Sequence, residues 1–423
     1  MNRHQKERHI GVYAHWQGMH EPLHMGNLQA MLLRGKEVFS FAYSSQWLSS
    51  PHAQLLDPDL QLFEGPQYTS ESKPNFGLFL DSSPDRWGKM LMRRREAAMA
   101  RLEQRPEKPL FESDFLLGVF DGHRMGALRF KIDECGPFLN DNEQMAAPPW
   151  ATLRALEEAS LAIEKDDAAE NTQYLQWLNM LLAPGSSLGG ARPKASVIAP
   201  DGSLWLAKFP SAHDQTNIGA WEMVLFELAS EAGISMAPCK AQRFSHRNHT
   251  FMSQRFDRTA TGQRIHFASA MTLLGYVDGQ EGASYLDLAA FIAAQGAQPQ
   301  ADLEALWKRI VFNICVSNVD DHLRNHGFLL SPKGWVLSPA YDLNPVAYGQ
   351  GLSLNITETD NALDLELALS AAPHFRLTNA KARQIIIEVQ TAVKLWPARA
   401  KHHGIGRAEL DTMSPAFRKA STT

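Results

Sequence analysis

Cysteine is scarce in this 423-residue chain, which contains only Cys135, Cys239 and Cys315. An odd number of widely separated cysteines excludes a disulfide framework and a zinc site of paired cysteines, and it suits a reducing compartment. Long hydrophobic runs are also missing, since no stretch of about 18 apolar residues indicates a membrane-spanning helix. The first ten residues lack the apolar core of a signal peptide. We therefore expect a cytoplasmic protein without a membrane partner.

An excess of basic residues is missing as well. Lys and Arg total 41 against 46 Asp and Glu, which gives a formal net charge of -5. Proteins that bind nucleic acid unaided usually carry a basic excess, so this balance argues against stand-alone DNA binding. Hydrophobic residues at 44% and charged residues at 21% are typical of a globular protein and exclude disorder as the default state. At roughly 100–200 residues per domain, the length predicts two or three domains or one large two-lobed unit.

The first third of the chain carries strand patterns. β-Forming residues with partial alternation at 11–16 and 38–43 predict strands. Asp121-Gly122 is a typical hairpin turn and predicts a hairpin that reaches Phe130. The stretch 135–149 is rich in proline, glycine and asparagine, so we expect a linker there.

Helical patterns follow the strands and dominate from about residue 266. One helix is predicted to begin at Ser83-Pro84-Asp85, with Ser83 as the cap residue and Pro84 at the first helical position. Apolar residues at helical spacing over 303–314 predict an amphipathic helix that ends just before Asn318. A small β-rich part followed by a larger helical part indicates an α+β protein.

The segment 318–325 (NVDDHLRN) carries the sharpest chemical pattern. Asp320 and Asn325 are five positions apart, the spacing between the base Asp and the metal-holding Asn of protein-kinase catalytic loops. Asp342 follows after a hairpin predicted over 331–334, where a kinase places its magnesium-binding Asp. A transferring phosphoryl group needs Mg²⁺ held by oxygen ligands, and a separate carboxylate to orient the attacking hydroxyl.

Two other interpretations of this segment stay open. Asp320, Asp321 and Asn325 could simply cap a helix and build a turn. Asp320, Asp321 and His322 could instead form the ligands of a metal-dependent hydrolase, although no second ligand cluster in the sequence supports this.

Upstream, paired glycines at Gly189-Gly190 lie between a helix pattern and a strand pattern. Their backbone N–H groups could cradle phosphate, although the stretch matches neither a Walker A motif nor the kinase glycine loop, and a plain turn is the alternative. Lys208 ends the following strand, and Glu222 lies on the next predicted helix, where it could pair with Lys208. The order of glycine loop, strand lysine, helix glutamate, catalytic segment and metal aspartate is typical of a kinase.

With these motifs, the chain resembles the HipA family, the serine/threonine kinase toxins of bacterial HipBA-type toxin–antitoxin pairs. The matching segments are 187–194 (SLGGARPK), 207–210 (AKFP), 254–258 (QRFDR), 284–288 (SYLDL), 318–325 (NVDDHLRN) and 340–342 (AYD). In the first third, 77–82 (GLFLDS) with Pro84 and Trp87, and 126–128 (GAL), resemble the family's N-terminal subdomain.

The resemblance implies a two-lobed, protein-kinase-like α+β fold with an N-terminal β-rich subdomain and an all-helical C-terminal lobe. The implied domains are an N-terminal subdomain over 1-135, a kinase N-lobe over 150-265 and a helical C-lobe over 266-423. Asp320 would be the catalytic residue, and Asn325 and Asp342 would hold Mg²⁺. The residues implied to bind ATP are Ser187, Gly189, Gly190, Lys208, Gln254, Phe256, Asn325 and Asp342.

The resemblance also implies regulation and partners. Ser187 would be the autophosphorylated residue whose modification ejects the loop and inactivates the kinase, with Ser186 as an open alternative. The protein substrate would be an aminoacyl-tRNA synthetase, of the glutamyl or tryptophanyl type, whose phosphorylation would inhibit translation and favour growth arrest and persistence. A HipB-like helix-turn-helix antitoxin would be the partner and would supply any DNA contact. The rival expectation is a catalytically weak co-repressor that acts with this antitoxin.

Two departures from the family pattern are visible. The stretch 266–270 (HFASA) stands where the family commonly has a Glu-Asp pair, which leaves substrate choice or antitoxin contact open. Asp321 replaces a glycine found in some members, and the sequence assigns it no separate role.

Overall fold

The computed structural model describes residues 7–165, 173–182, 190 and 192–421. The strands are β1 (Glu7–Ala14), β2 (Leu23–Leu33), β3 (Lys36–Tyr43), β4 (Gln67–Tyr68), β5 (Leu128–Lys131), β6 (Lys194–Ile198), β7 (Leu204–Lys208), β8 (Cys239–Gln242), β9 (Thr250–Gln254), β10 (Phe267–Ser269), β11 (Gly327–Ser331) and β12 (Gly334–Leu337).

The α-helices of the described residues are α1 (Ser45–Leu48), α2 (Gly77–Leu80), α3 (Arg86–Leu102), α4 (Glu112–Leu117), α5 (Leu153–Ile163), α6 (Tyr174–Leu182), α7 (Ile218–Glu231), α8 (Ala270–Leu273), α9 (Tyr285–Gln295), α10 (Pro299–Val316), α11 (Leu365–Ala371), α12 (Asn379–Val393), α13 (Trp396–His402) and α14 (Arg407–Met413). None of these helices has the length and apolar character needed to cross a bilayer.

The chain folds into two compact units. Unit 1 comprises Met1–Ala212 and Asp257–Val277, and unit 2 comprises His213–Phe256 and Asp278–Thr423. These bounds differ from the expected domains 1-135, 150-265 and 266-423, and the three-domain division stays a prediction.

Unit 1 is built on an antiparallel sheet with the strand order β4-β3-β2-β1-β5. Ile10, Val12 and Ala14 alternate along β1 and are fully buried, so one face of the strand forms core. This sheet confirms the β-rich N-terminal part and both strands expected at 11–16 and 38–43. The helix expected after Ser83 is present as α3, but Asp85 is its cap residue and accepts a 2.9 Å hydrogen bond from the N–H of Gly88.

One local expectation in unit 1 is wrong. Asp121–His123 forms a single 3₁₀ turn rather than a hairpin turn, and β5 pairs with β1 across the sheet. The linker expected over 135–149 stays a prediction. The stretch has little regular structure, and the N–H of Leu139 bonds to Phe130 O at 2.8 Å and that of Ala147 to His123 Nδ1 at 2.8 Å. The turn residues correctly predicted irregular structure in both stretches. Their paths are determined by hydrogen bonds to residues distant in sequence.

Two segments that carry the family resemblance meet in unit 1. Asp257 accepts a 2.8 Å hydrogen bond from the N–H of Gly126 and a 2.6 Å bond from Arg258. Arg258 in turn donates to the carbonyl oxygen of Arg124 at 2.8 Å. The Arg-Phe-Asp-Arg run therefore binds the Gly-Ala-Leu segment and the backbone just before it.

The departing stretch 266–270 is buried throughout in unit 1. The N–H of Ser269 donates to Asp81 at 2.7 Å, and the His266 ring lies against Trp16 with centroids 5.6 Å apart. Burial lowers the pKa of His266 to about 3. This stretch is part of the core of unit 1, where a Glu-Asp pair would have to be accommodated differently.

Unit 2 is organised around α10, the amphipathic helix expected from the sequence. The helix packs against α9, α12 and the 3₁₀ helix Ser414–Ala420. It ends at Ser317, which has the left-handed φ of 51° that terminates many helices. Strands β11 and β12 then pair through the predicted turn, with Ser331 opposite Gly334. Helices dominate this unit, which also contains the β11–β12 and β8–β9 hairpins. The expectation of an all-helical C-terminal lobe over 266-423 is corrected in this respect, because β10, β11 and β12 lie in that range.

The buried His266 ring should make the stability of unit 1 depend on pH. Because folding lowers the pKa of His266 from 6.5 to about 3, the unfolded chain binds the extra proton in that window. Stability is therefore fully present above about pH 6.5 and is lost as the pH falls, by about 1.4 kcal/mol per unit. Urea denaturation of the parent and of His266→Phe should show this loss as a pH-dependent difference in the free energy of unfolding.

The difference in the free energy of unfolding between the parent and His266→Phe cancels the contributions of other groups that titrate in this range. Burial raises the pKa of Asp81 to about 6, so Asp81 acts in the opposite direction in both proteins. The exposed His20→Phe variant controls for the loss of a histidine as such. A parent-minus-His266→Phe difference that stays constant from pH 7 to pH 4.5 would contradict the expectation.

Candidate active site

The loop after α10 presents Asp320 to solvent. Asp320 is exposed, whereas the next residue, Asp321, is buried. A 3₁₀ turn over Leu323–Asn325 follows. The side-chain amide of Asn325 donates a 2.8 Å hydrogen bond to the carbonyl oxygen of Asp320. The five-residue spacing seen in the sequence therefore closes a loop, with the Asn325 side chain folded back onto the residue that carries the exposed carboxylate.

The segment that carries Asp342 is bonded to the same loop. The Tyr341 hydroxyl donates to the carbonyl oxygen of Arg324 at 2.7 Å, and the N–H of Asn344 donates to Asn318 Oδ1 at 3.2 Å. Asp342 lies between these two anchors and has a left-handed φ of 58°. Its carboxylate accepts a 3.5 Å contact from the Asn344 side-chain amide. The structure thus brings Asp320, Asn325 and Asp342 onto adjoining segments of unit 2.

Two further residues expected to bind ATP, Gln254 and Phe256, lie in the same unit. Gln254 ends β9, and its N–H donates to Pro238 O at 2.8 Å. The Phe256 ring lies 5.7 Å from the Tyr341 ring, at an interplanar angle of 32°. Phe256 is thereby placed next to the segment of Asp342.

The Asp321 side chain is buried and forms hydrogen bonds within the protein. Its carboxylate accepts hydrogen bonds from the Tyr285 hydroxyl at 2.5 Å, the Asn313 amide at 2.8 Å and His326 Nε2 at 2.8 Å. Burial alone would raise the pKa of Asp321, but His326, Tyr285 and the nearby Arg309 lower it below its usual value. A carboxylate with three donors is a poor ligand for a metal, so this geometry disfavours the hydrolase interpretation. In the described part of the chain, no group of three or more His, Cys, Asp or Glu is arranged to hold a metal ion.

The remaining expected site residues belong to unit 1, except Glu222, which lies on α7 in unit 2. Lys208 ends β7 and is buried, and Lys194 is its antiparallel partner at the start of β6. Gly190 is described and exposed. Ser187 and Gly189, as well as the alternative Ser186, lie outside the described residues. Glu222 is buried on α7, and its pairing with Lys208 stays a prediction.

A buried ion pair fixes the base of the glycine segment. Lys194 Nζ lies 2.7 Å from Asp85 and donates to the carbonyl oxygen of Gly190 at 2.9 Å. Trp87 Nε1 donates to Lys194 O at 3.1 Å. Both side chains of the pair are about 95% buried. The N-terminus of α3 and the strand after the glycines are therefore joined by one charged contact.

Several of these roles were not predicted from the sequence. Asn344 and Asn313 carried no expectation, Tyr341 belonged only to the matching segment 340–342, and Asp85 was expected only in the first turn of a helix. A usable signal existed for Asn313, because a carboxamide within the apolar stretch of α10 needs a buried partner. No signal in the sequence linked Asp85 to Lys194, which are over one hundred positions apart.

The chain is similar to several known proteins. A family model described as the HipA-like C-terminal domain matches residues 186–396. The chain belongs to the HipA family. Among curated proteins, the chain is similar to "Putative kinase Y4mE" of Sinorhizobium fredii, which is 26% identical over 336 residues, covering 73% of this chain and 72% of the relative.

The HipA fold is also found among solved structures. The toxin–antitoxin HipA of Shewanella oneidensis MR-1, solved with HipB and its operator DNA, matches with a TM-score of 0.66 and 17% identity. The match covers 97% of this chain and 95% of that chain. The expected kinase-like α+β fold is therefore confirmed.

The Asp85–Lys194 pair should be a large contributor to the stability of unit 1. Asp85→Asn keeps the helix cap but leaves the buried ammonium of Lys194 without its counter-charge, and Lys194→Met leaves the carboxylate alone. Each single change is expected to lower the free energy of unfolding by about 3–5 kcal/mol. The Asp85→Asn/Lys194→Met double variant should lose less than the sum, because neither unpaired charge remains. Urea denaturation measures all three.

The matched control is the more exposed pair of Lys89 and Glu112, whose side chains are each 21% exposed. Glu112→Gln is expected to cost about 1 kcal/mol or less. Strict additivity of the Asp85 and Lys194 variants would contradict a specific ion pair.

Proposed function

We propose that this protein is a magnesium-dependent serine/threonine protein kinase that uses ATP. The observation that carries the proposal is the closed catalytic loop. Asp320 is exposed at the end of α10, the Asn325 amide is folded onto it, and the Asp342 segment is bonded to the same loop through Tyr341. This is the set of groups that phosphoryl transfer needs.

Each group has a definite task in this proposal. The Asp320 carboxylate orients the substrate hydroxyl and accepts its proton as the oxygen attacks the γ-phosphorus. A new P–O bond forms to the serine or threonine oxygen while the bond to the β-phosphate oxygen breaks, and ADP leaves. Lys208 contributes positive charge to the nucleotide phosphates. Catalysis then rests on positioning and on charge neutralisation rather than on a covalent intermediate.

The donor set suits Mg²⁺, which prefers oxygen ligands. The side-chain NH₂ group of Asn325 donates to the carbonyl oxygen of Asp320. The side-chain oxygen of Asn325 is therefore the atom that would bind a metal. Asp342 would supply the carboxylate. Bound Mg²⁺ would neutralise charge on the phosphate oxygens of ATP.

Similarity to known proteins also supports the proposal. The Sinorhizobium relative is named as a kinase, and the Shewanella structure with the same fold is that of a HipA bound to HipB and operator DNA. We infer a HipB-like helix-turn-helix antitoxin as the partner, with DNA reached only through that complex in the cytoplasm. An aminoacyl-tRNA synthetase of the glutamyl or tryptophanyl type is the proposed target, whose modification would inhibit translation and promote growth arrest and persistence. Autophosphorylation at Ser187, or at Ser186, would switch the kinase off.

Mass spectrometry after incubation with Mg-ATP tests the proposal. The parent should gain phosphate on Ser187 or Ser186, and Asp320→Ala should gain none, because it lacks the carboxylate that accepts the proton. Asp411→Ala, which removes an exposed carboxylate elsewhere in unit 2, should behave as the parent. The purified parent is measured before incubation as well, since modification during expression would hide the gain.

Two other results would redirect the interpretation. If neither protein ever carries phosphate and neither binds ATP, the kinase proposal fails and the co-repressor function becomes the leading one. Equal phosphate on the parent and on Asp320→Ala would refute the role given to Asp320.

A further inference from the structure

The Asp321 carboxylate is the centre of a buried polar network in unit 2. It is 2% exposed and accepts hydrogen bonds from three side chains, those of Tyr285, Asn313 and His326. These donors come from α9, α10 and the residue just before β11. One carboxylate therefore joins three separate elements beneath the loop that carries Asp320.

The network continues from Asp321 to the segment of Asp342. Asn313 donates to Asp321 and accepts a 3.0 Å hydrogen bond from the side-chain amide of Asn318. Asn318 Oδ1 accepts the backbone N–H of Asn344 at 3.2 Å. The Asn344 side chain contacts the Asp342 carboxylate. A continuous chain of amides thus connects the buried carboxylate to the candidate metal ligand.

We propose that Asp321 is the positioning residue of this site, which sets the orientation of Asp320 directly and that of Asp342 through Asn313 and Asn318. The proposal rests on the proposed kinase function for its catalytic consequence. Asp321 itself would contact neither the nucleotide nor the substrate hydroxyl.

The effect on Asp320 follows from chain geometry. The side chain of Asp321 is held in the core, so the backbone on its N-terminal side cannot rotate freely, and the Asp320 side chain is kept exposed. The effect on Asp342 follows from the strength of the network. Hydrogen bonds to an ionised carboxylate are stronger than those between neutral groups, and buried amide chains reinforce one another.

A merely structural role would lower stability without changing catalysis selectively. Asp321→Asn keeps the shape of the side chain but replaces an acceptor by a donor that faces Asn313 and His326. We expect the rate of phosphorylation at saturating ATP to fall about 10–100-fold, as for other residues that orient ligands. The KM for ATP should change by no more than about twofold, and half-maximal activity should need more Mg²⁺.

Two further variants separate positioning from stability. Asn318→Ala cuts the chain beyond Asn313 and leaves all three bonds to Asp321, and it should shift the Mg²⁺ requirement in the same direction. Tyr285→Phe removes one bond to Asp321 and a 3.5 Å contact from the Asn313 amide, but it leaves the Asn313–Asn318 and Asn318–Asn344 bonds of the path. It should therefore lower the melting temperature and leave the Mg²⁺ requirement unchanged. A Tyr285→Phe variant with the same Mg²⁺ shift as Asn318→Ala would overturn the path.

Hydrogen exchange makes the inference independent of activity. Asp321→Asn and Asn318→Ala should both speed amide exchange over 341–346, the segment on the far side of the network, in the folded protein. Unchanged exchange there in both variants would overturn the inference, whether or not the parent phosphorylates anything. Faster exchange in both variants, together with a parent that shows no kinase activity, would instead support the network and refute the proposed function.

Discussion

Unit 2 depends on one buried negative charge. A carboxylate removed from water is costly unless donors surround it, and Asp321 has three of them together with the nearby positive charge of Arg309. The Arg309 guanidinium is buried as well and donates to the carbonyl oxygen of Ser338, just before the segment of Asp342. Satisfying this charge fixes the relative places of α9, α10 and the turn into β11. Asp320 and Asn325 lie on the same loop and take their positions from it.

A buried ion pair has a comparable structural role in unit 1. The Asp85–Lys194 pair joins the first turn of α3 to the strand that follows the glycines, and Lys194 also bonds to Gly190. Burial raises the pKa of Asp85, which the adjacent ammonium opposes. Both units thus use a desolvated carboxylate to hold a segment in place, in one case the proposed catalytic loop and in the other the base of the segment proposed to bind phosphate.

Local patterns in the sequence predicted much of this architecture. The periodicity of α10, the strands β1 and β3 and the turn between β11 and β12 all follow from side-chain spacing and turn residues. The spacing of Asp320 and Asn325 predicted their place on one loop, and the order of motifs indicated the family. The helix cap at Ser83 and the hairpin at Asp121-Gly122 were wrong, because a tertiary partner determined the local structure. The contacts of Asp321 and Asp85 could not be predicted, since each depends on residues that only the fold brings near.

The backbone conformation at Asp342 restricts which residues this position can accommodate in relatives. Its left-handed φ of 58° favours short polar side chains, of which Asp and Asn are the usual non-glycine choices. A longer acid such as Glu would meet a conformational penalty before any question of chemistry arises. The aspartate thus has two independent physical causes, one in the peptide geometry and one in the charge that a metal would require. An aspartate that recurs here in homologous chains would reflect both causes. Replacement by asparagine would keep a residue that tolerates this backbone conformation and would remove the negative charge.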